Sequence, residues 1–204
     1  MISTVIESAV REDAVYPVVG NTVSDAVDLI LTENRHVLGQ VGAAVFERFV
    51  SLLADVDRTF VVGEGRSGLA VRMFAMRLMH LGYQVYVVGE TTTPALRRDD
   101  LLIACSGSGT TSTVLAMTTT ARLAGGRIAA VTTVPESSLG QVADVVITIP
   151  AAAKQDHSQQ YSEQFAGSLF EQAALLLFDA IIHALTHSLG KDAETLWSMH
   201  ANLE

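Results

Sequence analysis

Residues 101–112, LLIACSGSGTTS, join a strand, a glycine-rich turn and the start of a helix within one short stretch. The apolar run Leu101–Cys105 favours a strand that is buried on both faces. Helical character then extends over Thr110–Ala124, up to the glycine pair Gly125-Gly126. A strand that turns directly into a helix is the repeating unit of an α/β protein.

The same alternation continues on both sides of this unit. Four further strands are predicted, at Thr59–Gly63, Gln84–Val88, Arg127–Thr133 and Val145–Ile149. Three further helices are predicted, at Ser67–Leu81, Ser137–Ala143 and Ser168–Leu189. Because strand–helix–strand connections are right-handed, the pattern predicts an α/β fold with a doubly wound, five-stranded parallel sheet.

Helices are also expected before the first strand. Thr22 or Ser24 can cap one helix, and a second apolar segment runs from about Val41 to Leu53. These helices can pack on the main domain or on a neighbouring subunit. We therefore divide the chain into an N-terminal helical extension (1–57), a main domain (58–190) and a C-terminal tail (191–204). Within the main domain, residues 150–167 form a long polar connection, typical of a lid or a disordered segment.

Composition excludes several classes of function. The 204 residues carry a net charge of −9 without a Lys/Arg run, which disfavours nucleic-acid binding. Cys105 is the only cysteine, so no disulfide framework is expected. The first residues lack an apolar leader, and the stretch Ala173–Leu185 is too short to span a bilayer. We expect a soluble, cytoplasmic protein without a membrane partner.

The turn after Leu101–Cys105 is the strongest candidate for a ligand site. Glycines let backbone approach a ligand, and the first amides of the following helix point free N–H groups at it. With the added hydroxyl groups, the turn can hold a phosphate without basic side chains. The alternative is an ordinary Ser/Gly turn with a helix cap. The candidate ligand-binding residues are Ser106, Gly107, Ser108, Gly109, Thr110 and Thr111.

A second glycine-rich turn, Gly63–Gly68, ends the first predicted strand. Its GxGxxG spacing is a weak dinucleotide signal, because no acidic residue follows at the end of the second strand. We interpret Ser67 as a further phosphate or hydroxyl ligand. Arg66 is either a ligand or a surface charge.

Glu90 and Thr91 follow the next strand at the same edge of the sheet, where they could line a polyol site. The alternative is a capped turn before Pro94. No metal site is expected, because the histidines show no HExxH or similar pairing. The glycine turns lack the lysine of a P-loop, and no nucleophile elbow accompanies a triad.

Four segments together resemble one family. They are Gly63–Gly68 (GEGRSG), Phe74–Gly82 (FAMRLMHLG), Val88–Pro94 (VGETTTP) and Ser106–Thr111 (SGSGTT), with Gly167–Gln172 (GSLFEQ) continuing the match. The chain over about residues 58–185 resembles the 6-phospho-3-hexuloisomerases of the sugar isomerase (SIS) domain superfamily. FAMRLMHLG with GETTTP is the more specific part, because the glycine motifs occur in many SIS proteins.

The resemblance implies a flavodoxin-like SIS fold and an activity. The activity is interconversion of a 6-phosphorylated 3-hexulose and fructose 6-phosphate, in formaldehyde fixation (the ribulose monophosphate pathway) or its reverse. It also implies a homo-oligomer, commonly a tetramer. Position by position, Ser67 and the 106–111 loop would bind the substrate, and Glu171 would be the base. Two positions depart from the family pattern: Thr110, often charged elsewhere, and Gln164-Phe165-Ala166, usually Gln-Pro-Met.

Moving a carbonyl between C3 and C2 proceeds through a cis-enediol, so no cofactor is expected. One carboxylate can transfer a proton between adjacent carbons, acting as base and then as acid. A second group must move protons between the oxygens, and His200, from this or another subunit, and Glu90 are candidates. Two alternatives remain: another SIS isomerase, such as one for arabinose 5-phosphate, and a non-catalytic sugar-phosphate sensor. The N-terminal segment lacks a basic recognition helix, which weighs against a DNA-binding sensor.

Overall fold

The computed structural model describes residues 22–152 and 162–203, which contain seven helices and five strands. In chain order they are α1 (Val23–Leu38), α2 (Ala43–Ala54), β1 (Arg58–Gly63), α3 (Gly65–His80), β2 (Gln84–Val87), β3 (Leu101–Cys105), α4 (Ser112–Leu123), β4 (Arg127–Thr132), α5 (Ser138–Val142), β5 (Val145–Thr148), α6 (Ser168–Ser188) and α7 (Ala193–Ser198).

The five strands form one parallel sheet in the order β2-β1-β3-β4-β5, which confirms the predicted fold class. The order reverses between β1 and β3, the point at which open α/β sheets bind ligands. The register of these two strands pairs Gly63 with Cys105 at their carboxyl ends. The sheet therefore brings the two glycine-rich turns of the sequence side by side.

Alternate residues of each central strand supply two separate cores. Val61 and Ile103 face α2, α3 and α6, whereas Phe60 and Leu102 face α4 and α5. This explains the continuous apolar runs, since a strand covered by helices on both faces has no polar side.

Helix α6 is the main cover of the first core. The ring of its Phe178 stacks on Phe74 of α3 with centroids 4.5 Å apart. The sequence analysis judged the apolar stretch Ala173–Leu185 too short to span a bilayer. The whole helix α6, with 21 residues, is long and apolar enough to do so by length and composition alone. Most of its large apolar side chains pack in the first core, as in the core helix of a globular domain, and Leu176 is exposed.

The two N-terminal helices pack on the main domain. Thr22, one of the two residues predicted to cap this helix, caps α1 in a reciprocal capping box with Asp25. Asn34 of α1 donates a hydrogen bond to Gln172 of α6, and Phe49 of α2 lies against Phe74. Of the two placements considered for this extension, the structure shows the intramolecular one.

Several helix boundaries differ from the sequence-based expectations. Helix α3 begins at Gly65 rather than Ser67, because Gly65 (φ +58°) turns the chain directly after β1. Helix α4 begins at Ser112 rather than Thr110, with Thr111 in extended conformation at its cap. The C-terminal tail contains the short helix α7, capped by Asp192, which the sequence analysis did not predict.

Candidate active site

A cavity of about 440 Å³ opens at the carboxyl ends of β1 and β3. Its walls come from three segments: the start of α3, the end of β3 with its loop, and the segment that leads into α6. The lining residues are Glu64, Gly65, Arg66 and Ser67; Cys105, Ser106, Gly107, Ser108 and Thr111; and Ala152, Phe165, Ala166, Gly167, Ser168, Phe170 and Glu171.

The loop after β3 forms a preorganised cradle of hydroxyl and amide groups. The Ser106 and Thr111 hydroxyl oxygens lie 2.9 Å apart, so the Thr111 side chain does not cap α4. The Gly107 carbonyl accepts hydrogen bonds from the Thr133 amide and from the hydroxyls of Thr132 and Thr133, at 2.9–3.0 Å. β4 thus fixes the loop in front of the α4 N-terminus, an arrangement suited to an anion.

Two residues of the predicted cradle do not line the cavity. Gly109 adopts φ +62°, and a Cβ at this position would collide with the Ser137 hydroxyl group. Thr110 donates from its amide and its hydroxyl to Ser108 Oγ, at 3.3 and 3.1 Å. Both residues shape the loop, and their predicted contact with a ligand stays a prediction.

Glu171 and Arg66 meet across the cavity. Glu171 lies in the first turn of α6, and Arg66 lies in the first turn of α3. Arg66 Nε donates to Glu171 Oε2 at 2.5 Å. The Glu171 side chain is 19% exposed and the Arg66 side chain 62%, so the carboxylate is sheltered while the guanidinium reaches solvent. The cavity therefore holds the Glu171 carboxylate beside a neutral anion cradle, with Glu64 as a second acidic residue in its lining.

Cys105 forms the floor of the cavity beneath this pair. Its thiol is fully buried, and burial together with the nearby negative charge of Glu171 raises the pKa of Cys105 to about 12. Since the thiolate is the nucleophilic form of cysteine, this side chain is inert near neutral pH.

Three predicted residues lie away from this cavity. Glu90 lines a second cavity along α3 and β2, where its carboxylate is 3.7 Å from Arg72, and neighbouring Thr91 is exposed. His200 stacks on His80 with ring centroids 5.3 Å apart, at the far end of α3. A helix from Gly65 to His80 spans ~22 Å, so His200 of the same chain does not reach Glu171. A role for His200 in the site of another subunit stays a prediction.

Nine of the lining residues were not predicted site residues, among them Glu64, Phe165, Ala166 and Phe170. Glu64 stands inside the GEGRSG motif and Phe170 directly precedes Glu171. The available signal was their adjacency in the chain to residues that had been singled out. Residues 22–152 and 162–203 contain no group of three or more His, Cys, Asp or Glu side chains that could hold a metal ion.

Comparison with known proteins places the chain in a protein family. Residues 52–178 match the SIS domain family. The chain is 45% identical over 196 residues to the 3-hexulose-6-phosphate isomerase of Mycobacterium gastri, covering 96% of this chain and 98% of that one. It is 40% identical over 176 residues to the enzyme of the same name from Bacillus subtilis, covering 86% and 95%.

A solved structure supports the same relationship. A hypothetical protein from Methanococcus jannaschii, whose inferred molecular function is 3-hexulose-6-phosphate isomerase, superposes with a TM-score of 0.77. It is 30% identical, and the match covers 88% of this chain and 99% of that one.

Proposed function

This chain belongs to the SIS domain family, and we propose that it interconverts 3-hexulose 6-phosphate and fructose 6-phosphate with Glu171 as the base. The curated relatives that carry this activity in their names match nearly the whole chain. The observation that supports the assignment of the site is the position of Glu171, which shares one cavity with the hydroxyl and amide cradle of the 106–111 loop.

We assign the phosphate to the cradle. Ser106, Ser108, Thr111 and Ser67 offer hydroxyl groups, and the α4 N-terminus supplies positive potential without a basic side chain. This accounts for anion binding by a chain with a net charge of −9, because the attraction is local. The substrate is a small sugar phosphate.

Proton transfer then falls to Glu171. Arg66 holds Oε2, and we assign Oε1 to the reacting carbon. The carboxylate removes the C2 proton of the 3-hexulose, the electron pair of that C–H bond forms the C2–C3 double bond, and the π pair of the C3 carbonyl moves onto O3 to give the enediolate. Proton transfer from O2 to O3 then moves the carbonyl character to C2. Glu171 finally returns the proton to C3, which gives fructose 6-phosphate. Hydroxyl and amide donors stabilise the charge that develops on the enediolate oxygens.

The transfer between the oxygens needs a second group. His200 and Glu90 are the two candidates from the sequence, and because neither lies in this cavity within one chain, either would have to act from another subunit.

We also propose a homo-oligomer, in the form of a tetramer. Leu69, Met73 and Met76 are 64%, 47% and 46% exposed, and their spacing places them on one face of α3. Exposed apolar side chains grouped on one face are typical of a surface that another protein covers. We further propose that the protein is cytoplasmic and acts in formaldehyde fixation; the family resemblance supports both proposals.

Incubation with fructose 6-phosphate in deuterated water, followed by proton NMR, tests the reaction. We expect loss of the C3 proton signal together with formation of a 3-hexulose phosphate. Exchange at C1 instead would identify an aldose–ketose isomerase. Binding detected by thermal shift without any exchange would identify a sugar-phosphate sensor, and either result would overturn the proposal.

A further inference from the structure

Helix α1 holds the segment that leads into α6 through one carboxylate. Glu33 accepts hydrogen bonds from the Ser162 hydroxyl at 2.7 Å, the Glu163 amide at 2.8 Å and the Gln164 side-chain amide at 2.8 Å. Both carboxylate oxygens are used, and the donors are three consecutive residues. A carboxylate with three such donors fixes a segment more firmly than neutral acceptors do.

A second set of contacts joins the same segment to the helix of the base. Gln164 accepts a hydrogen bond from Gln172 Nε2 at 2.8 Å, and Gln172 accepts one from Asn34 Nδ2 at 2.9 Å. Gln172 directly follows Glu171, and Asn34 directly follows Glu33. Helix α1 therefore contacts both the segment and the first turn of α6 through neighbouring residues.

The held segment runs directly into the wall of the cavity. Phe165, Ala166 and Gly167 line the cavity, and Ala166 adopts φ +52°. For a residue with a Cβ, the left-handed region costs about 1–2 kcal/mol. Ser168 Oγ donates to the Phe165 carbonyl at 2.8 Å, which ties the far end of the turn. The Glu33 contacts tie its near end, so the turn is held from both sides.

The Glu33 carboxylate is ionised near neutral pH. Burial raises the pKa of Glu33, but the hydrogen bonds from Gln164, Glu163 and Ser162 together lower it by more, to below the ordinary value. The ionised form accepts from all three donors, whereas a neutral amide at this position would present an N–H₂ group to one of them.

We propose that Glu33 is a positioning residue of the isomerase, which acts through Ser162–Gln164 on the Phe165–Gly167 wall and on the approach to Glu171. The inference rests on the proposed role of Glu171. A group far from the reacting atoms can act in this way because small displacements of a catalytic side chain reduce the rate strongly.

The test compares Glu33→Gln with Asp28→Asn, an exposed acid on the same helix. We expect Glu33→Gln to lower kcat/KM by about tenfold, mostly through kcat, with the melting temperature nearly unchanged. Asp28→Asn should match the wild type. A Glu33→Gln enzyme with wild-type kcat/KM would overturn the proposal. So would a lower melting temperature with unchanged kcat/KM, which would limit Glu33 to holding α1 in place.

Hydrogen exchange of the peptide 162–168 supplies a readout that does not depend on activity. We expect about tenfold faster exchange in Glu33→Gln, since Glu163 loses its acceptor. We call the contacts of Glu33 with Ser162, Glu163 and Gln164 the Glu33 clamp. If the exchange rate of this peptide were the same in Glu33→Gln as in the wild type, the clamp would not hold the segment. If the wild-type enzyme showed no turnover, the proposed function would fail, and this exchange measurement would still decide whether the clamp exists.

A double-mutant cycle separates positioning from general support. Glycine adopts φ above zero without penalty, so Ala166→Gly removes the conformational cost that the Glu33 contacts help to offset in this turn. We expect Glu33→Gln to cost several-fold less kcat/KM in the Ala166→Gly background than in the wild type. Equal costs in both backgrounds would contradict action through this turn. If Glu33→Gln does not fold, Ser162→Ala removes a contact of the same clamp from the other side and faces the same criteria.

Discussion

At the scale of single residues, the Arg66–Glu171 pair is better explained by orientation than by stability. An ion pair with one partner 62% exposed contributes little to the free energy of unfolding, because water screens it. Its geometric effect is larger. The guanidinium contacts one carboxylate oxygen and so restricts the rotation of the acid within the cavity. Since Arg66 reaches solvent, it can also move toward a bound phosphate without a large desolvation cost.

Glu171→Gln should abolish turnover while binding of a phosphate ligand stays near normal. The amide is close in size to the carboxylate but cannot remove a proton, so we expect kcat to fall at least about a hundredfold. Deuterium exchange into fructose 6-phosphate measures turnover, and thermal shift with inorganic phosphate measures binding. The matched control is Glu194→Gln, an exposed acid in the first turn of α7, which should change neither. Near-normal turnover of Glu171→Gln would remove Glu171 from the role of base.

Sequence was informative at the residue scale wherever a motif was contiguous. Ser67, Ser106, Ser108 and Glu171 were predicted site residues, and all four line one cavity. Glu90 was predicted from its place after a strand, but β2 is an edge strand of the sheet and its end lies outside this cavity. Lateral distance across a sheet depends on strand order, and local sequence does not contain that order. The Glu33 clamp was not foreseen for the same reason, because its partners are more than 120 residues away.

At the scale of elements, the glycines at the β1–α3 junction have a packing role. A Cβ at Gly68 would collide with the Gly63 carbonyl oxygen and lie 2.8 Å from its carbon. The strand and the helix therefore approach closely enough to exclude a side chain. In a GxGxxG turn the third glycine allows this same close packing of helix on strand. The packing alone therefore explains why the sequence carries the GxGxxG spacing, and no dinucleotide site is needed.

Gly68→Ala should lower the free energy of unfolding by about 1–3 kcal/mol, as overpacking does elsewhere. The sign is informative, because alanine normally stabilises a helix interior relative to glycine by roughly 0.5–1 kcal/mol. Urea denaturation measures the difference. Gly42→Ala is the control: φ is −68° there, and no atom lies within 4 Å of the added Cβ. A Gly68→Ala protein as stable as the wild type would contradict the close approach.

Element type was predictable where the apolar pattern was long, and boundaries were less so. The five predicted strands are all present, because strands buried on both faces are uniformly apolar. The early start of α3 depends on the left-handed conformation of Gly65 (φ +58°), which an apolar pattern does not reveal. Helix α7 has no fully buried residue, only Leu196 packs partly on the first core, and its start relies on the Asp192 cap, so its six residues leave little apolar periodicity to detect.

At the scale of the whole molecule, the proposed oligomer joins the site to a surface. Arg66 and Glu171 border a shallow groove that continues along α3 past Leu69 and Met73. A second subunit that bound in this groove would lie next to Glu171. Formation of the oligomer would therefore affect the environment of the proposed base.

Leu69→Glu should therefore reduce both the mass of the particle in solution and its activity. A charge at an apolar interface is costly to bury, so we expect light scattering to shift toward the mass of a single chain. The control is Leu123→Glu on α4, where the native side chain is 84% exposed and lies away from α3. If Leu69→Glu keeps the wild-type mass, the α3 face is not the interface.

The buried thiol at the floor of the cavity has a consequence for the durability of the enzyme. Open-chain ketoses are electrophiles that lysine amines capture as Schiff bases and thiolates capture as thiohemiketals. In the part of the cavity wall that the structure describes, the cationic side chain is Arg66, which stays protonated. The sulfur is that of Cys105, whose thiol also keeps its proton near neutral pH. The reactive carbonyl thus meets neither a free amine nor a thiolate in this part of the wall, so the catalyst can turn over its substrate without being glycated by it.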